Sequence, residues 1–202
     1  MLPSPPGPDE EDAHAMTYLV FDELAAEYDA WFLINQRILA SEVLLVSHIL
    51  GEPGRTLSVG CGSGLFEDLL RRHHDIDIRD GVEPSEAMAA IARRRGMTVT
   101  TTTAEHLPEG DAVYDTVMLN GSPSYIDDLP AAFAEARRVL RAGGHIVVVD
   151  VPAESGYGLL YNLAAAHGTW DHPVLEGVAP ARPYPVELAA AAHWRTTREK
   201  VA

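Results

Sequence analysis

The stretch TLSVGCGSGLFEDLL, residues 56–70, places Gly60, Gly62 and Gly64 between a short apolar segment and a helical pattern. A glycine turn between a strand and a helix lets backbone N–H groups and the helix N-terminus approach a ligand closely. Three alternating glycines exceed what a tight turn alone needs. The sequence therefore predicts a binding site at this turn, and nucleotides are ligands that such turns hold.

A carboxylate follows the next predicted strand. Glu83 lies directly after Val82, at a distance from the glycines that suits a ribose-binding carboxylate. A dinucleotide fold favours the spacing G-x-G-x-x-G, whereas here Leu65 follows Gly64 and the motif reads G-x-G-x-G. An NAD-dependent oxidoreductase is therefore an alternative that the spacing does not favour.

Further side chains capable of chemistry lie after two later strands, in NGSPSYIDD and VPAESGYGLLYNLAAAHGTWDHP. The candidates for an aromatic, partly polar pocket are Ser122, Tyr125, Glu154, Tyr157, Tyr161, Trp170, Asp171 and His172. His172 is our candidate for a general base, because imidazole titrates near neutrality. The aromatic residues equally fit a role in core packing, and His172 fits that of an ordinary loop residue.

Alternating strands and helices would position these groups. Five strands are predicted, at TLSVG, up to Val82–Glu83, and at MTVTTTTA, YDTVMLN and HIVVVDV. Ser85 is predicted to cap one intervening helix, and Asp127 or Asp128 another. We expect the fifth strand to be covered on both faces, because it is apolar almost throughout. The alternation predicts an α/β fold with a doubly wound parallel sheet and helices on both faces.

The composition limits the kinds of partner. The net charge of −15, from 30 acidic and 15 basic residues, opposes binding to a nucleic-acid backbone. No apolar run approaches the ~18–20 residues that span a bilayer, so we expect no membrane partner. Cys61 is the single cysteine, which excludes an internal disulfide and a multi-cysteine metal site, and we predict no metal.

The chain is expected to form one domain. At 202 residues it is long enough for one sizeable core. Residues 1–15 are predicted to be a disordered tail, rich in proline and then acidic, without the pattern of a secretion signal, so we expect a cytoplasmic protein. The domain covers residues 16–202, with a core over 53–151 and a further segment over 152–202 beside the ligand.

Four segments, in this order, resemble class I S-adenosylmethionine-dependent methyltransferases of the small stand-alone kind, with a methyltransferase type 11-like domain. They are LSVGCGSG, GVEPSEAMAAIARRRG, AEHLPEGDAVYDTVMLN and AFAEARRVLRAGGHIVVVD. The resemblance covers roughly Phe21 to Val151. It implies a Rossmann-like fold, S-adenosylmethionine as the cofactor, S-adenosylhomocysteine as the product and in-line methyl transfer. For the acceptor we expect a small molecule.

The resemblance also implies roles for residues at matching positions. The glycines would pass beneath the methionine and ribose portion of the cofactor, and Glu83 would hold both ribose hydroxyls. Met88 would pack near the adenine, Asn120 would contact the methionine moiety, and Tyr28 would close over the cofactor. The residues implied in cofactor binding are Tyr28, Gly60, Cys61, Gly62, Gly64, Glu83, Pro84, Met88, Thr103, Ala104, Glu105 and Asn120.

The chain departs from the family pattern at three places. Ser58 stands where an acidic residue is usual, and Thr103 stands where Asp is frequent. After Val151 no segment shows the alternation of the family's final antiparallel strand pair, so either the chain is shortened or a partner completes the sheet edge. A cofactor-binding module without catalysis, a peptide acceptor, and a monomer or a homodimer are therefore all open.

Overall fold

The computed structural model describes residues 19–201, and the predicted tail lies outside the described residues. Its centre is a fully parallel sheet in the order β3-β2-β1-β4-β5. The strands are β1 Thr56–Val59, β2 Asp80–Val82, β3 Thr98–Thr100, β4 Tyr114–Asn120 and β5 Leu140–Val149. The helices are α1 Ala25–Ile34, α2 Gln36–Leu50, α3 Leu65–His73, α4 Glu86–Arg94, α5 Leu129–Val139, α6 Gly156–His167, α7 Val186–Ala191 and α8 Thr197–Val201. The doubly wound parallel sheet predicted from the sequence is confirmed.

The strand order reverses between β1 and β4. The chain runs from β1 through β2 to β3 at one edge, and then returns to the opposite side of β1 with β4 and β5. Ligands of open α/β sheets bind beyond the carboxyl ends of the strands at such a switch point. Gly60 follows β1 and Asn120 ends β4, so both lie at this crevice.

Successive side chains of β4 pack into hydrophobic cores on opposite faces of the sheet. Val117 and Leu119 pack on one face with residues of α5, whereas Met118 packs on the other face with residues of α1, α2 and α3. All three side chains are fully buried. The period of two along a strand thus places helices on both faces of the sheet, which holds the switch point rigidly.

Two helices beside the crevice begin at the predicted caps. The Ser85 hydroxyl accepts a hydrogen bond from the Met88 N–H at 3.2 Å, and the Asp128 carboxylate accepts one from the Ala131 N–H at 3.0 Å. Such caps satisfy N–H groups that a helix start leaves unpaired. The cap at Ser85 also fixes the backbone that carries Glu83 out of β2.

The fifth strand differs from the prediction. Helix α5 runs directly into β5, which includes the RAGG segment that the sequence had placed at the helix end. The strand is half-buried or exposed along its length, and Ile146 is among the exposed apolar residues. The expected cover on both faces is only partial: Val148 packs against the cluster on the α5 side and Val147 and Val149 pack against the cluster on the other side, but no residue of this edge strand is fully buried. Among the described residues no strand follows it.

Helices α1 and α2 meet at a sharp corner of 94°. Among the described residues, no single helix is long and apolar enough to cross a membrane. Helices α1 and α2 taken together reach the length and apolar composition of a membrane span, by those two criteria alone.

The segment after β5 is fastened to the sheet by a buried ion pair. The Lys200 ammonium lies 2.6 Å from an Asp150 carboxylate oxygen, and the two side chains are only 4% and 6% exposed. The same ammonium donates to the Ser124 hydroxyl at 3.0 Å and to the Val151 carbonyl at 2.7 Å. All three partners lie near the carboxyl ends of β4 and β5, so α8 is held against the crevice.

We expect Lys200→Met to lower the free energy of unfolding by about 3 kcal/mol, because it leaves the Asp150 carboxylate buried without its cation. Urea denaturation measures the change. Arg198→Met is the matched control, since Arg198 lies on the same helix but is exposed. Equal effects of the two substitutions would contradict a structural role for the buried pair.

Candidate functional site

A cavity of about 1230 Å³, including space open to solvent, lies at the switch point. One half is formed by α4 and by loops at the ends of β1, β2, β3 and β4. The other half is formed by α1, α2, residues 122–126 after β4 and the segment after β5. The first half is lined by Gly60, Gly62, Glu83, Pro84, Met88, Thr103, Ala104, Glu105, Asn120 and Gly121. The second is lined by Phe21, Tyr28, Trp31, Phe32, Glu42, Ser122, Ser124, Tyr125, Ile126, Asp150, Val151, Tyr161, Tyr184, Ala192 and Trp194.

The glycine turn and Glu83 are joined directly. One Glu83 carboxylate oxygen accepts a hydrogen bond from the Gly62 N–H at 2.9 Å, and the other accepts one from the Ser85 N–H at 3.0 Å. Burial raises the pKa of Glu83 to about 7, although these two hydrogen bonds lower it. Each carboxylate oxygen has a second lone pair, so Glu83 can still accept two hydrogen bonds from a ligand in the cavity.

The three glycines serve different purposes. A Cβ on Gly62 would meet no atom within 4 Å, which is the open space of the cavity. A Cβ on Gly60 would lie 2.5 Å from the Ser122 Cβ, and one on Gly64 would lie 2.8 Å from the Met97 sulfur. All three glycines have positive φ. Only Gly62 therefore keeps space free for a ligand, whereas the other two allow close packing of the protein itself.

Most residues that the resemblance implied for cofactor binding line the cavity together. These are Tyr28, Gly60, Gly62, Glu83, Pro84, Met88, Thr103, Ala104, Glu105 and Asn120. Cys61 lines a smaller adjoining cavity, and burial raises the pKa of its thiol. Gly64 lines neither cavity, because its missing side chain makes room for α4 and Met97 instead.

A buried carboxylate stands beside the glycine turn where the sequence suggested none. Glu67 of α3 accepts a hydrogen bond from the Ser58 hydroxyl at 2.6 Å through Oε1. Its Oε2 is buried without a hydrogen-bond partner among the described residues. Glu67 lines the smaller cavity together with Tyr28, Gly62 and Asn120. Burial raises the pKa of Glu67, and the Ser58 hydrogen bond lowers it.

Helix α1 is held over the turn by a second polar network. The Ser63 hydroxyl donates to Asp29 at 2.5 Å, and the Arg95 guanidinium pairs with Asp29 at 2.6 Å. Arg95 also donates to the Ser63 carbonyl at 2.7 Å. These bonds join α1, the glycine turn and the end of α4, and they place Tyr28 above the cavity.

Aromatic rings gathered around Tyr184 form the second half of the cavity. The Tyr184 ring centroid lies 5.2 Å from that of Trp31, 5.8 Å from that of Tyr161 and 6.3 Å from that of Tyr28. Trp194 lies 5.8 Å from Tyr161. Burial raises the pKa of Tyr161 to about 12 and those of Tyr28 and Tyr184 well above the usual phenol value, so these phenols stay neutral near pH 7.

The structure brings only part of the predicted pocket together. Ser122, Tyr125 and Tyr161 line the cavity, whereas Glu154, Tyr157, Trp170, Asp171 and His172 do not. Trp170 supports the wall, since its indole N–H donates to the Tyr184 carbonyl at 2.8 Å. His172 stacks on His167 at 3.6 Å, and its Nδ1 accepts the Val174 N–H. Its loop turns away from the cavity, so the arrangement gives His172 no access to a ligand there.

The charged groups of the lining all have the same sign. The described residues around the cavity include Glu42, Glu83, Glu105 and Asp150, and no Lys, Arg or His. Glu42 has no hydrogen bond or ion pair to another described residue, and burial raises its pKa to about 7. The cavity is therefore acidic, and positively charged ligands fit it better than anions.

Several lining residues were missed by the sequence analysis. Trp31 and Glu42 lie on helices before the first strand, and Tyr184 and Trp194 lie in irregular chain after β5. The available signal was the density of aromatic and proline residues in ARPYP and its surroundings. Glu67 had a clearer signal: the missing acid at Ser58 is accompanied by a new buried acid nine residues later.

Comparisons with known proteins agree with one another. Residues 57–148 match the family described as "Methyltransferase domain". An uncharacterized protein of Methanocaldococcus jannaschii is 36% identical over 143 residues, which cover 70% of this chain and 66% of that protein. A malonyl-[acyl-carrier protein] O-methyltransferase of Geobacter sulfurreducens is 33% identical over 162 residues, which cover 78% of this chain and 59% of that protein. The chain thus spans about half to two thirds of these curated relatives.

One solved structure extends the similarity through most of the chain. It is a Thermotoga maritima protein described as a SAM-dependent methyltransferase, possible histamine N-methyltransferase. The two proteins are 32% identical, and the superposition covers 91% of this chain and 77% of that chain with a TM-score of 0.75. The superposition therefore extends well beyond residues 57–148.

We expect Gly64→Ala to destabilise the protein more than Gly62→Ala, by about 1–3 kcal/mol, because only Gly64 faces packed atoms. Both variants carry the strain of a side chain at positive φ, so the comparison isolates the packing effect. Urea denaturation without added ligand measures both. Equal losses would show that strain alone decides the choice of glycine at these positions.

Proposed function

The chain belongs to the family of S-adenosylmethionine-dependent methyltransferases, and from this premise we propose that it methylates a small-molecule acceptor by in-line transfer. The observation that carries the proposal is that the glycine turn and Glu83 line the same cavity as a set of aromatic residues. Family membership sets aside the oxidoreductase alternative. Action in the cytoplasm, as a monomer or homodimer, stays a prediction from the sequence.

The chemistry needs little from the protein beyond position. When bound, S-adenosylmethionine supplies a methyl group on a positively charged sulfur, which makes the methyl open to attack by a nucleophile. The protein's part is to hold the acceptor in line and to exclude water, which is worth up to about 7–11 kcal/mol in favourable cases. The buried aromatic wall beside the glycine turn suits both tasks.

The residues of the first half fit the adenosine part of the cofactor. Met88 and Ala104 offer buried apolar surface for a flat base. Glu83 keeps lone pairs for the two ribose hydroxyls, because the Gly62 and Ser85 N–H groups occupy only one site on each oxygen. Gly62 leaves the space beside it open.

We assign the amino-acid end of the cofactor to Glu67. A buried carboxylate oxygen without a partner costs about 1–3 kcal/mol or more, which an ammonium group would offset. The Oε2 atom of Glu67 is such an oxygen, and it adjoins Gly62 and Asn120. Ser58 holds the other oxygen in place. Glu67 thus compensates for the acid that is missing at Ser58.

The second half fits a compact organic acceptor. Its lining includes the indole of Trp31 and the neutral phenols of Tyr28, Tyr161 and Tyr184, and such a lining is typical of small-molecule sites. The names of two relatives point to different accepting atoms, since one is called an O-methyltransferase and the other a possible N-methyltransferase. Their names therefore do not decide the acceptor of this chain.

We expect Glu83→Ala and Glu67→Gln to differ in which of two ligands they weaken. S-Adenosylhomocysteine carries both the ribose and the amino-acid end, whereas 5′-methylthioadenosine lacks the amino acid. Glu83→Ala should weaken both ligands, and Glu67→Gln should weaken only S-adenosylhomocysteine, by about tenfold to a hundredfold. Calorimetric titration measures all four combinations. Glu67→Gln keeps an oxygen acceptor for Ser58, so the local structure is preserved.

The assignment of Glu67 fails if Glu67→Gln weakens both ligands equally, since that pattern reports a general disturbance of the turn. The Ser58→Asp/Glu67→Gln double variant provides a further check. It returns a carboxylate to the position usual in the family, and it should recover part of the lost affinity for S-adenosylhomocysteine.

Turnover tests the proposed activity itself. The purified chain is incubated with S-[methyl-³H]adenosylmethionine and pools of amines, phenols, thiols and carboxylic acids, and transfer of the tritium label to the acceptor is followed. We expect turnover with at least one pool, and loss of it in Glu83→Ala. Cofactor binding without turnover of any pool would favour a binding module that does not catalyse.

A further inference from the structure

From the charge and shape of the second half of the cavity, we propose that the acceptor is an organic amine, held as an ammonium ion between aromatic rings and the carboxylate of Glu42. This inference rests on the proposed methyltransferase function and specifies its substrate class.

The aromatic wall is suited to a cation. A cation within about 6 Å of an aromatic centroid is attracted to the face of the ring, most strongly for Trp and Tyr. The Tyr161 ring centroid lies 5.8 Å from that of Tyr184 and 5.8 Å from that of Trp194, and the Trp31 centroid lies 5.2 Å from that of Tyr184. All four residues line the same cavity, so a cation held there would lie beside several aromatic rings.

Among the carboxylates that line the cavity, Glu42 differs from the others in its lack of a partner. Glu83 holds two backbone N–H groups, and Glu105 accepts the Asp128 N–H at 3.2 Å. Asp150 is neutralised by Lys200. Among the described residues Glu42 has neither a hydrogen bond nor an ion pair, and besides burial its charge helps to raise the pKa values of Tyr28 and Tyr161, so both phenols stay neutral. An arriving ammonium would supply the missing counter-charge.

The lining also disfavours the opposite class of acceptor. A carboxylate substrate would need a cationic side chain, and the described lining holds none, because Lys200 is engaged by Asp150, Ser124 and Val151. An acidic carrier protein would in addition meet a chain of net charge −15. Repulsion between like charges thus favours an amine over an acid.

Glu42 can also take the proton that an amine must lose. Burial raises the pKa of Glu42 to about 7, so its carboxylate can accept a proton near neutrality and release it again. The ammonium gives one proton to Glu42, and the freed nitrogen lone pair forms the N–C bond while the C–S bond electrons go to sulfur. The products are the methylated ammonium and the thioether, and Glu42 returns the proton to water.

The test compares matched pairs of probes that differ in charge: ethylamine with ethanol, 2-phenylethylamine with 2-phenylethanol, and 1,4-diaminobutane with 1,4-butanediol. Binding to the wild-type chain saturated with S-adenosylhomocysteine is followed by calorimetry. We expect at least one amine to bind at least tenfold more tightly than its alcohol. Glu42→Gln should remove that preference, and 3-phenylpropionate should not bind.

Glu52→Gln is the matched control, because Glu52 is exposed and lies outside the cavity, and it should keep the preference for amines. The inference is overturned if no amine binds more tightly than its alcohol, or if Glu42→Gln and Glu52→Gln behave alike. Binding of S-adenosylhomocysteine is measured first on each variant. Its absence from the folded wild-type chain would overturn the proposed function, whereas its presence without a preference for amines overturns only this inference.

Discussion

The excess of negative charge in two adjoining, partly dehydrated cavities is the constraint on which the site depends. Carboxylates buried away from water are costly unless each finds a partner, and the protein gives partners to most of them. Glu83 receives backbone N–H groups and Asp150 receives Lys200, whereas Glu42 and one oxygen of Glu67 receive none. These two remaining acceptors are what ligands can satisfy, and a cofactor with a positive sulfur and ammonium suits such a cavity.

The glycine turn illustrates how one motif combines two demands. Gly60 and Gly64 are required by neighbouring protein atoms, so the turn must be small wherever the chain packs tightly against β4 and α4. Gly62 is required by the empty space beside it. Since both demands act within five residues, the motif appears in the sequence as a regular alternation, although its members are not equivalent.

Sequence reasoning succeeded where local pattern determines structure. The strands, the cap at Ser85 and the position of Glu83 follow from periodicity over a few residues, and the strand order then brings them to one edge. It failed where placement depends on the packing of irregular chain. Tyr184 reaches the cavity and His172 turns away from it, yet both lie in the same proline-rich segment, and no local periodicity distinguishes them. The partial exposure of β5 likewise depends on its place at the edge of the sheet, which no local pattern gives.

The two halves of the cavity come from different parts of the chain. The half at the glycine turn is built from residues 60–121, whereas the aromatic wall needs α1, α2 and the segment that carries Tyr184 and Trp194. Substitutions in that late segment can therefore reshape the wall without disturbing the turn. The same division orders events during synthesis on the ribosome, where the glycine turn emerges before Tyr184 and Trp194, which complete the aromatic wall.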